Sequence, residues 1–203
     1  MQLLSFFPYE QNSSDITGFY QDGREFAVVG LQNAAAFVDV SDPSNPWEIG
    51  RISGSNSIWR DVKYHNRHVY IGTEASDGVK VVSVDNPDNP ILVNTITDFT
   101  NSHNIHTNNG YLYVVGASGC GIWIYNLDNP ANPVPEGCWN DEYIHDLDVY
   151  NDKAYAMGIY SSTAYIIDLS DKSNPSTITS WSYAGAAHDA AVTEDEQILL
   201  TAD

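Results

Sequence analysis

Apolar residues recur along the chain in short runs of five or six positions, separated by polar and turn-forming residues. Four such runs, rich in β-branched and aromatic side chains, occupy residues 36–40, 79–84, 122–127 and 164–169. A second apolar run precedes each of them and closes on a glycine, at Gly30, Gly72, Gly116 and Gly158. Runs of this length and composition predict strands, with no pattern of long helices.

A turn motif ending in Asn-Pro follows each of these four runs. It occupies residues 42–46, 86–90, 129–133 and 171–175, so its final proline recurs every 42 to 44 residues. The closing glycines of the preceding runs recur at the same interval. Separate landmarks that keep step with one another identify an internal repeat of about 42 residues.

Each repeat has room for four short strands, A to D, which is the size of one β-propeller blade. In the third repeat we place them at residues 102–107, 111–116, 121–126 and 134–139, with the hairpin turn Asn108-Asn109-Gly110 between A and B. The sequence therefore predicts an all-β fold, a β-propeller of four-stranded antiparallel blades.

The repeats divide a single propeller domain, 1–203, into successive segments. A closing strand lies in 1–14, four complete repeats occupy 15–60, 61–103, 104–145 and 146–188, and a partial fifth occupies 189–203. Residues 1–9 resemble a strand D without its own A, B and C, and we expect them to complete the blade made by the opposite end. We expect a fragment of a larger propeller; the alternative is a five-bladed ring closed with an incomplete blade.

The charge balance narrows the choice of partners. Asp and Glu number 27 against 8 Lys and Arg, giving a formal net charge of −19. Nucleic acids and anionic membrane surfaces select clustered basic side chains, so neither is expected here. No apolar run approaches the ~18 residues of a spanning helix, and no signal peptide or anchor is visible, so we expect no direct membrane insertion by this segment.

The chain has two cysteines, Cys120 and Cys138, which flank predicted strands C and D of the third repeat. Their midpoint falls in the turn between those strands, and residues equidistant from a hairpin turn face each other. We therefore predict a disulfide between them, which implies an oxidising compartment. The alternative is two buried free thiols.

Polar residues recur at the start of each strand A, which is the innermost strand of a propeller blade. Equivalent positions from successive blades form a ring around one axis, able to hold calcium through oxygen ligands or a transition metal through histidine. The candidate ring residues are Asp15, Arg60, Asp61, His103, Asn104, His106, His145, Asp146, His188 and Asp189.

Three roles remain open for this ring. Repetition in every blade favours structural hydrogen bonds between strands and blades, since a catalytic site usually breaks the symmetry of a repeat protein. An axial ion or ligand site is the second role, and catalysis is the third, with no catalytic residue assigned. Arg60 breaks the pattern, and we expect it to pair with ring carboxylates rather than with an anionic ligand. His106 lies on the same face as Asn104.

Several segments resemble a known family. The texts FVDVSDPSNP at residues 37–46 and YIIDLSDKSNP at residues 165–175 resemble LVIVD repeats. Residues 14–30, 59–75, 102–120 and 187–200, in this order, are similar to the bacterial choice-of-anchor B proteins. That resemblance covers nearly the whole chain and implies a secreted, surface-displayed propeller whose C-terminal anchor varies between members.

These observations together predict a non-enzymatic extracellular or cell-surface binding module whose partner is a protein, a glycan or a small ligand. The alternative is a metal-dependent, hydrolase-like propeller enzyme that uses the ring as ligands and a bound water as nucleophile. A third hypothesis is that the fragment has no function alone, because propeller faces are assembled from all blades.

Overall fold

The computed structural model describes residues 2–202, and these residues form eighteen β-strands and no helix. Within each sheet, successive strands pair antiparallel in chain order. The first two four-stranded sheets are blade 1, with β1 (Ser13–Gln21), β2 (Arg24–Leu31), β3 (Ala34–Asp39) and β4 (Trp47–Ser53), and blade 2, with β5 (Val62–His65), β6 (His68–Ile71), β7 (Val79–Ser83) and β8 (Ile91–Ile96).

Two further four-stranded sheets follow, and then a two-stranded one. They are blade 3, with β9 (Asn104–Asn108), β10 (Tyr111–Val115), β11 (Ile122–Asn126) and β12 (Val134–Trp139), blade 4, with β13 (Asp146–Tyr150), β14 (Lys153–Gly158), β15 (Thr163–Asp168) and β16 (Ser176–Ser182), and the fifth sheet, β17 (Asp189–Val192) and β18 (Leu199–Ala202). The all-β prediction is confirmed, and the strands predicted for the third repeat are found to within two residues at each end.

The hairpin turns between strands A and B use backbone conformations that few residues adopt. Asn109 and Gly110 have φ values of 46° and 80°, and Asn151 and Asp152 have values of 45° and 57°. Two consecutive positive φ values define a type I′ turn, whose twist matches that of the flanking strands. Asn, Asp and Gly tolerate this conformation, which is why they mark the turn in the sequence.

The Asn-Pro motifs between strands C and D are turns held by their first residue. The Oδ1 atoms of Asp42, Asn86 and Asp171 each accept a hydrogen bond from the backbone amide two residues later, at 2.9, 3.2 and 3.1 Å. A side chain that bonds its own local backbone in this way favours a turn over a continuing strand. The repeated motif therefore fixes the position of each C–D connection.

Strand D of every complete blade contains a β-bulge that the sequence pattern did not reveal. In blade 1, Phe37 pairs with Gly50 but Val38 pairs with Glu48, which leaves Ile49 as the extra residue. The register shifts at the equivalent place in blades 2, 3 and 4. A bulge increases the local twist of a strand.

The cysteine pairing is confirmed, but not with the expected geometry. The disulfide joins Cys120 and Cys138, whose Cα atoms are 5.9 Å apart. However, the residue opposite Cys138 in the ladder is Trp123, and Cys120 lies in the loop before β11. The expectation of two directly opposed residues was wrong because Tyr125 pairs with Pro135, which centres the hairpin on residue 130 instead of 129 and moves the partner of Cys138 by two positions. The bulge moves it by one more, and the bridge ties the β10–β11 loop to β12.

The N-terminal segment forms no strand over residues 2–12, and each four-stranded sheet is made entirely of the strands of its own repeat. The closing strand predicted in 1–14 was expected to complete the blade made by the opposite end of the chain. That fifth sheet contains two strands, β17 and β18, so the closing strand stays a prediction. Met1 lies outside the described residues.

The chain divides into two compact units, each with its own core. The N-terminal unit runs to Asn101 and includes Pro130–Asn132, and the C-terminal unit comprises Ser102–Asn129 and continues from Pro133. The core of the N-terminal unit packs side chains of blades 1 and 2 together, among them Phe37 and Val69. The main core of the C-terminal unit does the same for blades 3 and 4. Burial between successive blades is therefore the main apolar contribution to stability.

The bulge glycines provide a matched test of this packing. A Cβ atom built on Gly137 would lie 1.7 Å from the backbone oxygen of Lys172 in blade 4, whereas one built on the equivalent Gly50 would meet nothing nearer than a Pro90 side-chain atom at 3.9 Å. We expect Gly137→Ala to lower the free energy of unfolding by about 2 kcal/mol through overpacking. Gly50→Ala should leave it nearly unchanged in urea denaturation, and equal effects of the two substitutions would contradict this account.

Candidate functional site

The polar residues predicted to form a ring do occupy equivalent places in their blades. Asn104, Asp146 and Asp189 are the first residues of β9, β13 and β17, and each follows a histidine. Asp61 lies directly before β5, and Asp15 lies near the start of β1. The predicted ring draws on both units, and the contacts within each unit show what these side chains do.

In the N-terminal unit, a lysine links two of the predicted carboxylates. Lys63 Nζ lies 3.0 Å from Asp15 Oδ2 and 2.5 Å from Asp61 Oδ1. The Val62 amide donates to the same two carboxylate oxygens, at 3.0 Å in each case. Asp15 belongs to blade 1 and the other three residues to blade 2, so this cluster connects the innermost strands of two blades.

Burial divides the two carboxyls of this cluster. The Asp61 side chain is only 1% exposed, and burial, followed by its hydrogen bond with Asp15, raises its pKa despite the charge of Lys63. Burial also acts to raise the pKa of Asp15, but the hydrogen bond from Asp61 and the charge of Lys63 outweigh it and lower the pKa. The pair therefore favours one protonated and one ionised carboxyl.

Arg60 does not serve the role expected of it. Its side chain is almost completely buried, and its guanidinium donates to the backbone oxygens of Leu31, at 3.0 Å, and Ser55, at 2.7 Å. Burial lowers the pKa of Arg60, partly offset by the charge of Asp77. The counter-charge to the predicted ring carboxylates in this unit is Lys63, and Arg60 instead fastens the blade 1 loops that surround it.

In each unit, one residue that precedes a predicted ring position bonds with the backbone of the next sheet. Ser14 Oγ lies 2.9 Å from both the amide nitrogen and the carbonyl oxygen of Arg60, accepting from the first and donating to the second. In the C-terminal unit, His145 Nδ1 lies 3.1 Å from the carbonyl oxygen of His188, so this nitrogen carries the proton and donates. Each contact joins consecutive blades at the same repeat position.

Three histidines of the C-terminal unit lie against one another. The ring centroids of His103 and His145 are 3.9 Å apart, and those of His145 and His188 are 4.4 Å apart. His145 is buried, whereas His188 is exposed. Each histidine comes from a different sheet, so the stack runs across blade 3, blade 4 and the fifth sheet.

Asp148, which the sequence pattern did not reveal, contacts two neighbouring sheets. Its Oδ2 atom accepts a hydrogen bond from the Val192 amide at 2.9 Å, and its Oδ1 atom lies 3.8 Å from His106 Nε2. It therefore contacts the sheets on both sides of its own. Lys63 was missed as well. Both residues lie two positions after a ring aspartate and so share its face of the strand, which is the signal that could have revealed them.

Two aspartates of the predicted ring accept hydrogen bonds from backbone amides. The Oδ1 atom of Asp146 accepts from the Leu147 amide at 2.7 Å, and that of Asp189 accepts from the Ala190 amide at 2.6 Å. Over residues 2–202, no group of three or more His, Cys, Asp or Glu side chains is arranged to hold a metal ion. Chemically, Asp146 and Asp189 act as local acceptors for the next amide of their own strand.

Two segments of the chain match a known repeat. Residues 25–53 and 163–182 match the family model of the LVIVD repeat. These two segments fall in blades 1 and 4, around the strand C and turn texts that resemble this repeat. No curated protein sequence matches the chain.

Solved structures share the fold at low sequence identity. The Myceliophteria thermophila Cps50 (Swd1) β-propeller domain matches with a TM-score of 0.74 and 9% identity over 96% of this chain and 67% of that one. A functionally unknown protein from Desulfotomaculum acetoxidans gives 0.74 and 12% over 97% and 64%. The computationally designed Ika8 protein gives 0.69 and 10% over 93% and 54%. The fold is thus a β-propeller, and the chain spans about half to two thirds of the length of these structures.

The Asp15–Asp61 pair predicts a pH dependence with a definite sign. Because the pKa of Asp61 is raised, the folded protein retains a proton that the unfolded chain releases above the ordinary value of 3.8, so this group's contribution to stability is lost as pH rises. Asp61→Asn keeps the site neutral and should flatten the decline in unfolding free energy from mildly acidic to mildly alkaline pH.

The matched variant is Asp15→Asn. The pKa of Asp15 is lowered, so its contribution is lost as pH falls, and this variant should change the acid side of the profile instead. Urea denaturation over a pH series measures both profiles. Parallel profiles for the parent and Asp61→Asn would contradict the assignment.

Proposed function

We propose that the chain is a non-enzymatic extracellular or cell-surface binding module, in which the blades form a scaffold and the loops between strands carry recognition. The observation that carries this proposal is the use of the strand-start side chains. Ser14, His145 and Asp148 each bond with the backbone of a neighbouring sheet, which is a structural task. Groups committed to such bonds are poorly placed to act as acids, bases or nucleophiles.

The disulfide supports the extracellular part of the proposal. Cys120 and Cys138 are bonded, and disulfides persist in oxidising compartments such as the cell surface. Over the described residues, no helix has the length and apolar character needed to cross a membrane. The resemblance to surface-displayed LVIVD proteins points in the same direction.

Labelling of intact cells tests the location. We expect a membrane-impermeant amine reagent to label the native protein, and we expect both cysteines to resist a thiol-blocking reagent added at lysis. A cytosolic protein from the same cells, labelled only after lysis, is the control. Labelling that requires lysis, together with two reactive thiols, would refute an extracellular location.

One observation favours the rival function, a metal-dependent enzyme. The imidazole rings of His103, His145 and His188 lie close enough together that a rearrangement could bring several nitrogens to one ion. A calcium ion or a transition metal near the blade starts is the corresponding cofactor proposal.

Elemental analysis separates the two functions. We expect the purified full-length protein, dialysed without chelator, to hold less than stoichiometric metal. The variant His145→Ala should have the same metal content and should lower the free energy of unfolding by about 1 kcal/mol, because it loses the bond to the His188 carbonyl. A stoichiometric metal that disappears in a folded His145→Ala variant would favour the enzyme instead.

A further inference from the structure

An open groove in the C-terminal unit combines acidic and aromatic side chains. Its volume is about 470 Å³, and it lies between the β10–β11 loop, at residues 117–121, and the β12–β13 loop, at residues 140–143. Asp141 and Glu142 line it, together with Tyr143. We name it the Asp141 groove.

A second tyrosine extends the aromatic surface of this groove. The rings of Tyr143 and Tyr160 have centroids 4.9 Å apart, and Tyr160 is 80% exposed in the β14–β15 loop. Most of the apolar surface of the Tyr160 ring is exposed to water, where a ligand can contact it. The negative face of such a ring attracts cations.

The walls of the groove are fixed relative to each other. The disulfide joins Cys120 in one wall to Cys138, two residues before the other wall begins. A Cβ atom on Gly121 would lie 2.2 Å from the Glu142 backbone oxygen, so the two loops meet with no room for a side chain. Because its two loops are already held in place, the groove can bind a ligand with only a small entropy cost for ordering those loops.

The carboxylates of the groove accept neutral hydrogen bonds, from Thr177 Oγ1 to Asp141 Oδ2 at 3.2 Å and from the Tyr143 amide to Glu142 Oε1 at 3.0 Å. These bonds leave both negative charges uncompensated. Each of the chain's eight Lys and Arg residues is engaged elsewhere: Arg24 with Asp39 and Asp88, Arg51 with Glu48, Lys63 with Asp15 and Asp61, Arg67 with Asp22, Lys80 with Asp77, Lys153 with Glu196, Lys172 with Asp152, and Arg60 with backbone carbonyls. The residues that line the groove include no Lys or Arg. The two carboxylates therefore favour the approach of a cation from outside the chain.

We propose that the Asp141 groove binds an arginine-bearing segment of a partner protein, with a guanidinium over the Tyr160 ring and its donors directed to Asp141 and Glu142. Guanidinium suits this site because it is planar, stacks on aromatic rings and matches carboxylate geometry. This inference rests on the proposed binding function and gives its partner a chemical class.

The probe is a fluorescent arginine-glycine repeat peptide, and its citrulline counterpart controls for charge. Binding is measured by fluorescence anisotropy at physiological ionic strength, where the salt screens long-range attraction between the peptide and the acidic chain. We expect Tyr160→Ala, which changes no charge, to weaken binding about threefold to fivefold. Tyr20→Ala is the matched control, since Tyr20 is 69% exposed in blade 1, and it should bind like the parent.

Charge variants complete the test. The double variant Asp141→Asn with Glu142→Gln should weaken binding about fivefold. Glu10→Gln with Glu194→Gln removes the same charge from two exposed positions outside the groove and should have little effect. Equal losses from the two pairs, or unchanged binding by Tyr160→Ala, would overturn the proposal, as would binding of a neutral oligosaccharide in place of the peptide. Those outcomes would not overturn the binding-module proposal, which is tested separately by cell labelling and by metal content.

Discussion

The fold depends on one recurring bond, in which a side chain at the start of an innermost strand reaches the backbone at the start of the next. Ser14 bonds to Arg60 in this way, and His145 bonds to His188. Each four-stranded sheet can form its own ladder, but its apolar faces are buried only when neighbouring sheets stand in one register. Because unpaired buried polar groups are costly, these bonds select the register in which the apolar contacts also fit. The polar and apolar interactions between blades thus specify the same arrangement.

Charge is the second constraint on the molecule. With eight cations against 27 acidic residues, every Lys and Arg is committed to a structural partner. Lys63 shows the benefit, since one ammonium group serves two carboxylates from adjacent blades. The remaining acidic groups stay on the surface, where they promote solubility and attract cations from solution. An acidic surface with no spare cations discriminates among partners before any contact is made.

Much of this structure could be predicted from the sequence because the repeat supplies the same evidence four times. Turn residues mark the strand ends, because Asn109 adopts a positive φ and the Asp42 side chain accepts a hydrogen bond from its own local backbone. The bulge in strand D could not be predicted, because the extra residue differs in type between blades, from Ile49 in blade 1 to Glu136 in blade 3, and leaves no shared sequence pattern. At the candidate site, the equivalence of the aspartates could be predicted, but the partners Lys63 and Asp148 depend on which face of the strand meets the next blade.

The loops that vary among the repeats bear on the proposed recognition site. The A–B turns have two consecutive positive φ values in all four blades, and the C–D turns of blades 1, 2 and 4 share the same local hydrogen bond. Each of these turns closes a hairpin of the same shape. The connections between strands B and C differ, occupying residues 32–33, 72–78, 116–121 and 159–162. Loops that carry no shared structural task are free to diverge, and binding residues concentrate in such loops on rigid scaffolds. The Asp141 groove is lined by one of these connections, and Tyr160 lies in another. Its asymmetry is therefore what a recognition site on a repeat protein requires, whereas the symmetric strand starts maintain the scaffold.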